Sequence, residues 1–355
     1  MVEKRMPPII IDGAYFEITD KCNFQCSYCC RDCDNKKEKY FSLSVYKRII
    51  DDLVKNKNLK MISISGGEAV LHPEFDEFVE YTLKYNIAVM LLTNGSLLKK
   101  IDANLLNNEK VSIQVSLDSG DSGINDATRG SGSFHFVKDG LQRCQDLKAN
   151  MANIHIKATL THQNYMYLGS LVNFAKSMGI KQVGFACMYP MGRAALQVDS
   201  IMTAQDCLKA IKILERIRLH NPDMVIPPFG FTLLCPLLGD DNIVIEPKID
   251  VNGNVYPCQA FEGLYDIGEC INSSITEVIY GDKFAQFYFL MRSRNPFMEE
   301  CHNCVYQKKC QRGCPAISVL RGSPMSVDLS CDVRKYMFKK RFLLNFKQNN
   351  KNIHC

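Results

Sequence analysis

Between residues 14 and 187 six short apolar runs alternate with segments of helical period, and this alternation restricts the fold more than any other feature. The runs are AYFEITD (14–20), KMISIS (60–65), IAVMLLT (87–93), VSIQVSLD (111–118), NIHIKATL (153–160) and KQVGFAC (181–187). Between and after them lie helix patterns at 44–55, 75–86, 133–147, 168–179 and 203–219. In the first of these, Val45, Ile49, Ile50 and Leu53 recur at helical spacing behind Ser42 or Ser44 as cap. Strand–helix alternation of this kind predicts a parallel sheet with right-handed crossovers, an α/β fold. The texture changes after about residue 230, so a domain boundary is expected between 195 and 232. There IVIEPKIDVNGNVYPC (243–258) places two strand-like runs around Asn252-Gly253, a hairpin signal, and a helix is expected near 274–291.

The cysteines are the second constraint. The chain has 17, with 46% hydrophobic and 23% charged residues, the balance of an ordinary soluble globular protein. The start, MVEKRMPPIIIDG, lacks the apolar core of a signal peptide, and no run reaches the 18 apolar residues of a membrane span, which places the protein in the cytoplasm with no membrane role. A reducing compartment disfavours disulfides, so clustered cysteines there point to metal or catalysis. Five lie between Cys22 and Cys33, and a second set runs from Cys235 through Cys258 to Cys331. The net charge of +5 is small, and part of it sits on Lys339, Lys340, Arg341, Lys347 and Lys351, read as a solvated terminus; nothing indicates nucleic acid.

CNFQCSYC sets Cys22, Cys26 and Cys29 in a C-x3-C-x2-C loop directly after the first strand. Three thiolates on a short loop can hold a [4Fe–4S] cube and leave its fourth iron open; a zinc knuckle is the alternative. The motif, with Tyr28 before its last cysteine, resembles the signature of the radical S-adenosylmethionine (SAM) superfamily. Further segments resemble that family in order: Gly66-Gly67-Glu68, then LLTNGS with Asn94, VSLD with Ser116 and Asp118, NDATRGSGSF with Arg129, and YPMGRA with Met191 and Gly192. The resemblance implies a partial (β/α)6 TIM-like barrel. In it the open iron is chelated by SAM, which is cleaved reductively to a 5′-deoxyadenosyl radical that abstracts a substrate hydrogen. It assigns the glycines to close approach of the backbone to SAM, Glu68 to its ammonium, Ser116 and Asp118 to ribose and methionine, Arg129 to its carboxylate, and Met191-Gly192 to the adenine. Asn125 stands where the family commonly has histidine, and Cys30 and Cys33 are read as spare thiols.

CHNCVYQKKCQRGC gives Cys301, Cys304, Cys310 and Cys314, with Cys331 beyond and Gly253-x4-Cys258 and Cys235 upstream. This set resembles the SPASM domain of peptide-modifying radical SAM enzymes, over roughly residues 232 to 335. The resemblance implies two auxiliary [4Fe–4S] clusters, one on Cys301, Cys304, Cys310 and Cys331, the other on Cys235, Cys258 and Cys314. The fourth position of the latter is open, or taken by Cys270 or a substrate thiolate; a zinc ribbon is the alternative. The expected organisation is an N-terminal extension (1–12), a radical SAM core (13–200), a bridging helix (201–231), a SPASM domain (232–338) and a basic tail (339–355).

By the same resemblance the substrate is a peptide or protein, with an electron donor such as flavodoxin or ferredoxin. The first reading is a maturase of a ribosomal peptide that forms a thioether or carbon–carbon cross-link. Only about 20 residues precede Cys22, so leader recognition would fall to another surface or a separate leader-binding protein. A sulfatase-maturing enzyme is the second; that family has an Asp base after the G-x4-C cysteine, where this chain has Gln259. A small-molecule oxidoreductase or decarboxylase stays open, as does a non-enzymatic iron–sulfur or zinc protein. Cys187, at the end of the sixth run, is the candidate hydrogen donor, with a buried sheet thiol as the other reading; Tyr15, Glu17 and Tyr189 are candidates to face the barrel.

Overall fold

The computed structural model describes residues 6–228, 234–294, 299–310, 312–320, 322–327 and 330–340. Arg341, Lys347, Lys351 and Cys355 lie outside the described residues.

The six expected strands form as β2 (Gly13–Glu17), β3 (Met61–Ser65), β4 (Ala88–Thr93), β5 (Val111–Ser116), β6 (Ile154–Leu160) and β7 (Val183–Cys187), preceded by a short β1 (Ile9–Ile11). They pair in parallel in chain order. Alternation fixes which face packs: Val111, Ile113 and Val115 are buried under the helices while Ser112, Gln114 and Ser116 turn to the other face. The layer outside the sheet is made by α1 (Leu43–Leu53), α2 (Phe75–Leu83), α3 (Ala103–Asn107), α4 (Ser122–Arg129), α5 (Ser133–Asp146), α6 (Leu168–Ser177) and α7 (Ala204–His220). Ser42 is the cap of α1, accepting from Val45 N, and α7 opens on a Thr203/Asp206 capping box. Phe16 on β2 packs edge-on against Tyr46 of α1, whose ring meets Phe78 of α2 at 4.6 Å.

The C-terminal segment completes the sheet instead of standing apart from it. β9 (Lys248–Ile249) lies parallel to β2 and antiparallel to β10 (Asn254–Tyr256), which pairs β11 (Gly268–Glu269). The nine-stranded order is β11-β10-β9-β2-β3-β4-β5-β6-β7, with β11 and β7 as open edges, a partial barrel. The Asn252-Gly253 turn is as expected: Asp250 accepts from Asn252 N and Asn254 N at 2.9 Å, and Gly253 has φ +84°.

Three expectations need correction. The first hairpin run is split at Pro247, and its β8 (Ile243–Ile245) pairs in parallel with β1, so the N-terminal extension is tied to the C-terminal domain. The helix near 274–291 is two, α8 (Ile275–Ile279) and α9 (Asp282–Arg292), separated at Gly281. The NDATRGSGSF loop carries the helix α4, capped by Asp121. The domain seam is further fastened by α1: Arg48 donates to the carbonyls of Cys270 and Ile271, and Asp52 accepts from Thr276 N at 3.2 Å. Beyond α9 come α10 (Glu299–His302), α11 (Gln307–Cys310) and α12 (Pro315–Leu320).

Candidate active site

The cysteine loop after β2 is folded back on itself. Cys22 N donates to Asp34 O at 2.8 Å, and Phe41 N returns to Ile18 O. The turn after β3 is pressed against its entry: Gly67 N donates to Thr19 O and Glu68 N to Lys21 O, each at 2.8 Å. A Cβ at Gly66 would stand 2.3 Å from Thr19 O, and one at Gly67 2.3 Å from Lys21 O. The loop's own backbone therefore demands these glycines, in addition to any ligand they approach.

From the opposite side, Arg193 holds the loop by three of its carbonyls. Its backbone N–H donates to Cys29 O at 2.9 Å, Nε to Cys26 O at 2.8 Å and Nη2 to Cys33 O at 2.9 Å, while Nη1 pairs with Asp32 at 2.6 Å. Gly192, at φ +54°, lies so close that a Cβ would be 2.4 Å from Cys30 O. Sequence reasoning named Gly192 but missed Arg193; its signal was only a basic residue inside YPMGRA.

The loop borders a cavity of about 540 Å³ at the C-terminal ends of the strands, where parallel sheets bind ligands. Cys22, Cys26 and Cys29 line it, with Gly66, Gly67, Asn94, Ser116, Arg129 and Met191. Asn94 Nδ2 donates to Asn23 Oδ1 at 2.8 Å, across to the cysteine loop. Arg129 is buried, lies over the Tyr28 ring, donates from Nη2 to Asp118 at 2.9 Å, and its Nε has no protein partner.

Three expected contacts, Glu68, Asp118 and Gly192, are not among the residues that line this cavity, Gly192 being the one packed on Cys30 O. The Glu68 carboxylate turns into the sheet, accepting from Asn94 N at 2.7 Å and Thr93 Oγ1 at 2.8 Å, and burial lifts it to about 7. Asp118 is fully consumed as well, accepting from Thr159 N, Arg129 Nη2, Thr128 Oγ1 and Tyr28 OH. Both are positioning residues: Glu68 fixes the end of β4, and Asp118 aims Arg129 and Tyr28. Asn125 joins them, accepting from Asp118 N at 3.0 Å and donating to Ser133 Oγ at 2.9 Å. Cys187 borders the cavity, but its sulfur contacts Cys207 on α7 at 3.7 Å and Met202 at 4.0 Å. It is in register with Leu160, on the helix-facing side, whereas Ala186 shares the inner side with Thr159. The Cys187 side chain is half-buried and turned toward α7 at the cavity's edge.

The far wall of the same cavity comes from the C-terminal segment: Cys258, Gln259, Ala260 and Glu262. At the seam a buried charge network joins the two halves. Lys248 pairs with Glu17 at 2.8 Å and with Glu262, and Arg31 pairs with Glu17 and donates to Tyr15 OH at 2.8 Å. Burial holds the Lys248 amine down at about 8. Tyr15 and Tyr189 line the cavity as expected.

Cys301, Cys304, Cys310 and Cys331 line one small cavity of about 30 Å³, with Arg312, Lys335 and Tyr306 beside them. Cys314 lies close enough to raise the thiol pKa of Cys235, and Cys235 and Cys314 that of Cys258, on top of the larger effect of burial, which takes Cys235 to about 12. Cys270 is not with them: its thiol donates to Gly253 O at 3.2 Å in the hairpin turn. Among the described residues no three Cys, His, Asp or Glu side chains converge on a single metal ion. A [4Fe–4S] cube takes thiolates spread over separate irons, a donor type that three grouped sets of cysteines can supply. Arg129, which lines the cavity and has an Nε without a protein partner, is a cation suited to an anionic group such as the SAM carboxylate.

The Radical SAM superfamily model matches residues 16–167, and an iron-sulfur cluster-binding domain of the SPASM type matches 224–305. The chain carries a radical SAM domain and a SPASM domain; it is an enzyme that works with SAM, a [4Fe–4S] cluster and auxiliary clusters. It is similar to the mycofactocin maturase MftC of Mycobacterium tuberculosis, 25% identical over 320 residues, covering 87% of this chain and 80% of that one. It is also 25% identical to the antilisterial bacteriocin subtilosin biosynthesis protein AlbA of Bacillus subtilis, over 82% of this chain and 66% of that one. Among solved structures it shares its fold with anSMEcpe, seen with bound AdoMet and the Cp18Cys peptide, at a TM-score of 0.73 and 20% identity, covering 97% and 99% of the two chains.

Proposed function

We propose that the chain is a maturase that cross-links a ribosomally made peptide through a thioether or carbon–carbon bond. The observation that carries this reading is the shared cavity: Cys258 and its neighbours face the space that Cys22, Cys26 and Cys29 face. A substrate there sits between the SAM site and the Cys235/Cys258/Cys314 set. MftC is a maturase and AlbA acts in bacteriocin biosynthesis, which favours a peptide.

In this reading Cys22, Cys26 and Cys29 hold the SAM-binding cluster, Cys301, Cys304, Cys310 and Cys331 one auxiliary cluster, and Cys235, Cys258 and Cys314 the other. When bound, these groups supply one electron for SAM cleavage and accept one from the oxidised substrate. The protein's own part is to orient. Arg129 Nε meets the SAM carboxylate, Asn94 and Ser116 hold its polar edge, and Met191 lies against the adenine. Asp118 keeps Arg129 charged and aimed, and Gln259, unable to take a proton at neutral pH, leaves the formylglycine reaction without its base. The proposed functional units are 13–200 and 232–338, in the cytoplasm, served by a flavodoxin- or ferredoxin-like donor.

The test is anaerobic reconstitution of the wild type and of a Cys22→Ala, Cys26→Ala, Cys29→Ala variant, each given dithionite and SAM. About twelve irons against about eight, with 5′-deoxyadenosine only from the wild type, is the expected result. Co-expression with a short peptide encoded beside the gene should then yield a product lighter by two hydrogens. About four irons in the wild type would remove the auxiliary clusters and most of the case for a peptide.

A further inference from the structure

The cysteine loop holds two thiols that the proposed cluster does not use, and the structure sends them to different places. Arg31, between them, is anchored at the domain seam by Glu17, Glu262 and Tyr15. Cys30 goes with it, toward Glu262 and Lys248. Cys33 goes the other way. The Cys22 N–H bond to Asp34 O brings the loop's return strand beside its first cysteine, and Arg193 grips the carbonyls of Cys26, Cys29 and Cys33 together. The Cys33 side chain is 3% exposed and packs with Cys22, Phe24, Cys26 and Cys29. Its thiol donates to Arg31 O at 3.8 Å. Five loop thiols line the cavity, where the SAM-binding cluster needs three, and of the two spare ones it is Cys33 that packs with Cys22, Cys26 and Cys29.

We infer that Cys33 is an exchangeable fourth thiolate of the Cys22/Cys26/Cys29 cluster, bound to its open iron without SAM and displaced when SAM arrives. The inference rests on the reading of that loop as the SAM-cluster site. The exchange moves no electrons. The iron–sulfur bond to Cys33 breaks, the amine and carboxylate of SAM bond to that iron, and the proton released from the SAM ammonium is taken by the Cys33 thiolate. A closed resting cluster keeps its most labile iron out of reach of solvent and small oxidants until the co-substrate is present. It also makes SAM compete with a tethered ligand, so the apparent affinity for SAM is reduced by the fraction of protein whose iron is open.

The experiment compares full-length reconstituted wild type with Cys33→Ala, Cys33→Ser and Cys30→Ala. SAM affinity is measured by equilibrium dialysis, and [3Fe–4S] formation is followed by electron paramagnetic resonance during mild oxidation without SAM. If the open form is about a tenth of the resting protein, Cys33→Ala binds SAM about tenfold more tightly. It also gives a larger [3Fe–4S] signal, Cys33→Ser falls between, and Cys30→Ala matches the wild type. Unchanged SAM affinity and oxidation in Cys33→Ala overturn the inference. Loss of the loop's cluster in both Cys33 variants overturns it too, because Cys33 would then be an obligatory ligand. The Cys22→Ala, Cys26→Ala, Cys29→Ala variant separates the two levels: wild-type SAM affinity there would sink the site reading itself, whereas lost binding leaves only the exchange in question.

Discussion

Replacing Asp118 by Ala should destabilise the SAM-free protein by about 4 kcal/mol. The Asp118 side chain is 0% exposed and that of Arg129 7%, and they pair at 2.9 Å. Breaking a buried pair by removing one partner costs about 3–5 kcal/mol, because a charge is left buried without its counterion. The Thr159 N–H, 2.9 Å from the same carboxylate, would also lose its acceptor, worth about 1–3 kcal/mol. The two losses share one network and do not add in full, so about 4 kcal/mol is the working figure, a large part of a domain's about 5–15 kcal/mol. Arg129→Met should cost less, since Asp118 keeps Thr159, Thr128 and Tyr28. The double variant should fall short of the sum by about 2 kcal/mol, the coupling of two groups in contact. Anaerobic urea unfolding followed by circular dichroism, with the four proteins in parallel, measures this. A loss under about 1 kcal/mol for Asp118→Ala, with additive behaviour in the double variant, would refute the positioning role and return Asp118 to direct ligand contact.

Gly192→Ala forces a Cβ to 2.4 Å from the Cys30 carbonyl at a left-handed φ; it should lose about 2–4 kcal/mol and retain less loop-bound iron, as read by unfolding and iron assay. Arg193→Ala removes the Cys26 and Cys33 carbonyl bonds while keeping its own backbone bond to Cys29; the loop's cluster should then be lost several times faster to a chelator, with the auxiliary clusters unaffected. Lys248 holds its proton to about 8 when folded and to about 10.5 when unfolded, so the unfolded chain binds more protons between those values and stability rises with pH across them. Against Lys248→Met, the wild type should therefore gain on the order of 2 kcal/mol between pH 8 and 10 in unfolding titrations, and parallel curves would contradict the buried network.

The parallel strands were legible because each is an apolar run bounded by a turn, and the hairpin because Asn252-Gly253 admits few other conformations. The β1–β8 pairing was not, since nothing local in Ile9–Ile11 names a partner more than 230 residues away. Side-chain direction divides in the same way. The phase of Cys187 could have been read from Val183 and Phe185, the buried apolar residues two and four positions before it on the same face. For Asp118 no such count exists: it stands beyond the last residue of β5, and its carboxylate is drawn inward by a backbone N–H of the neighbouring strand. A motif identifies which residues gather at a site; which of them touch the ligand depends on donors contributed from elsewhere in the chain.

The same division explains why the two cysteine-rich regions read as separate units in sequence and work as one in space. Their ligand sets are far apart along the chain, yet β9 is hydrogen-bonded to β2, the strand that leads into the first cysteine loop. Arg31 lies within that loop and Lys248 on β9, and both pair with Glu17 at the end of β2. A displacement of the hairpin that carries Cys258 would therefore pull on the segment between Cys29 and Cys33 through fixed charges, with no flexible linker to absorb it. The Lys248→Met comparison thus has a second readout. If the seam carries mechanical coupling, the variant should alter the spectrum of the Cys22/Cys26/Cys29 cluster although Lys248 belongs to the other domain, and an unaltered spectrum would mean that the network only holds the two halves together.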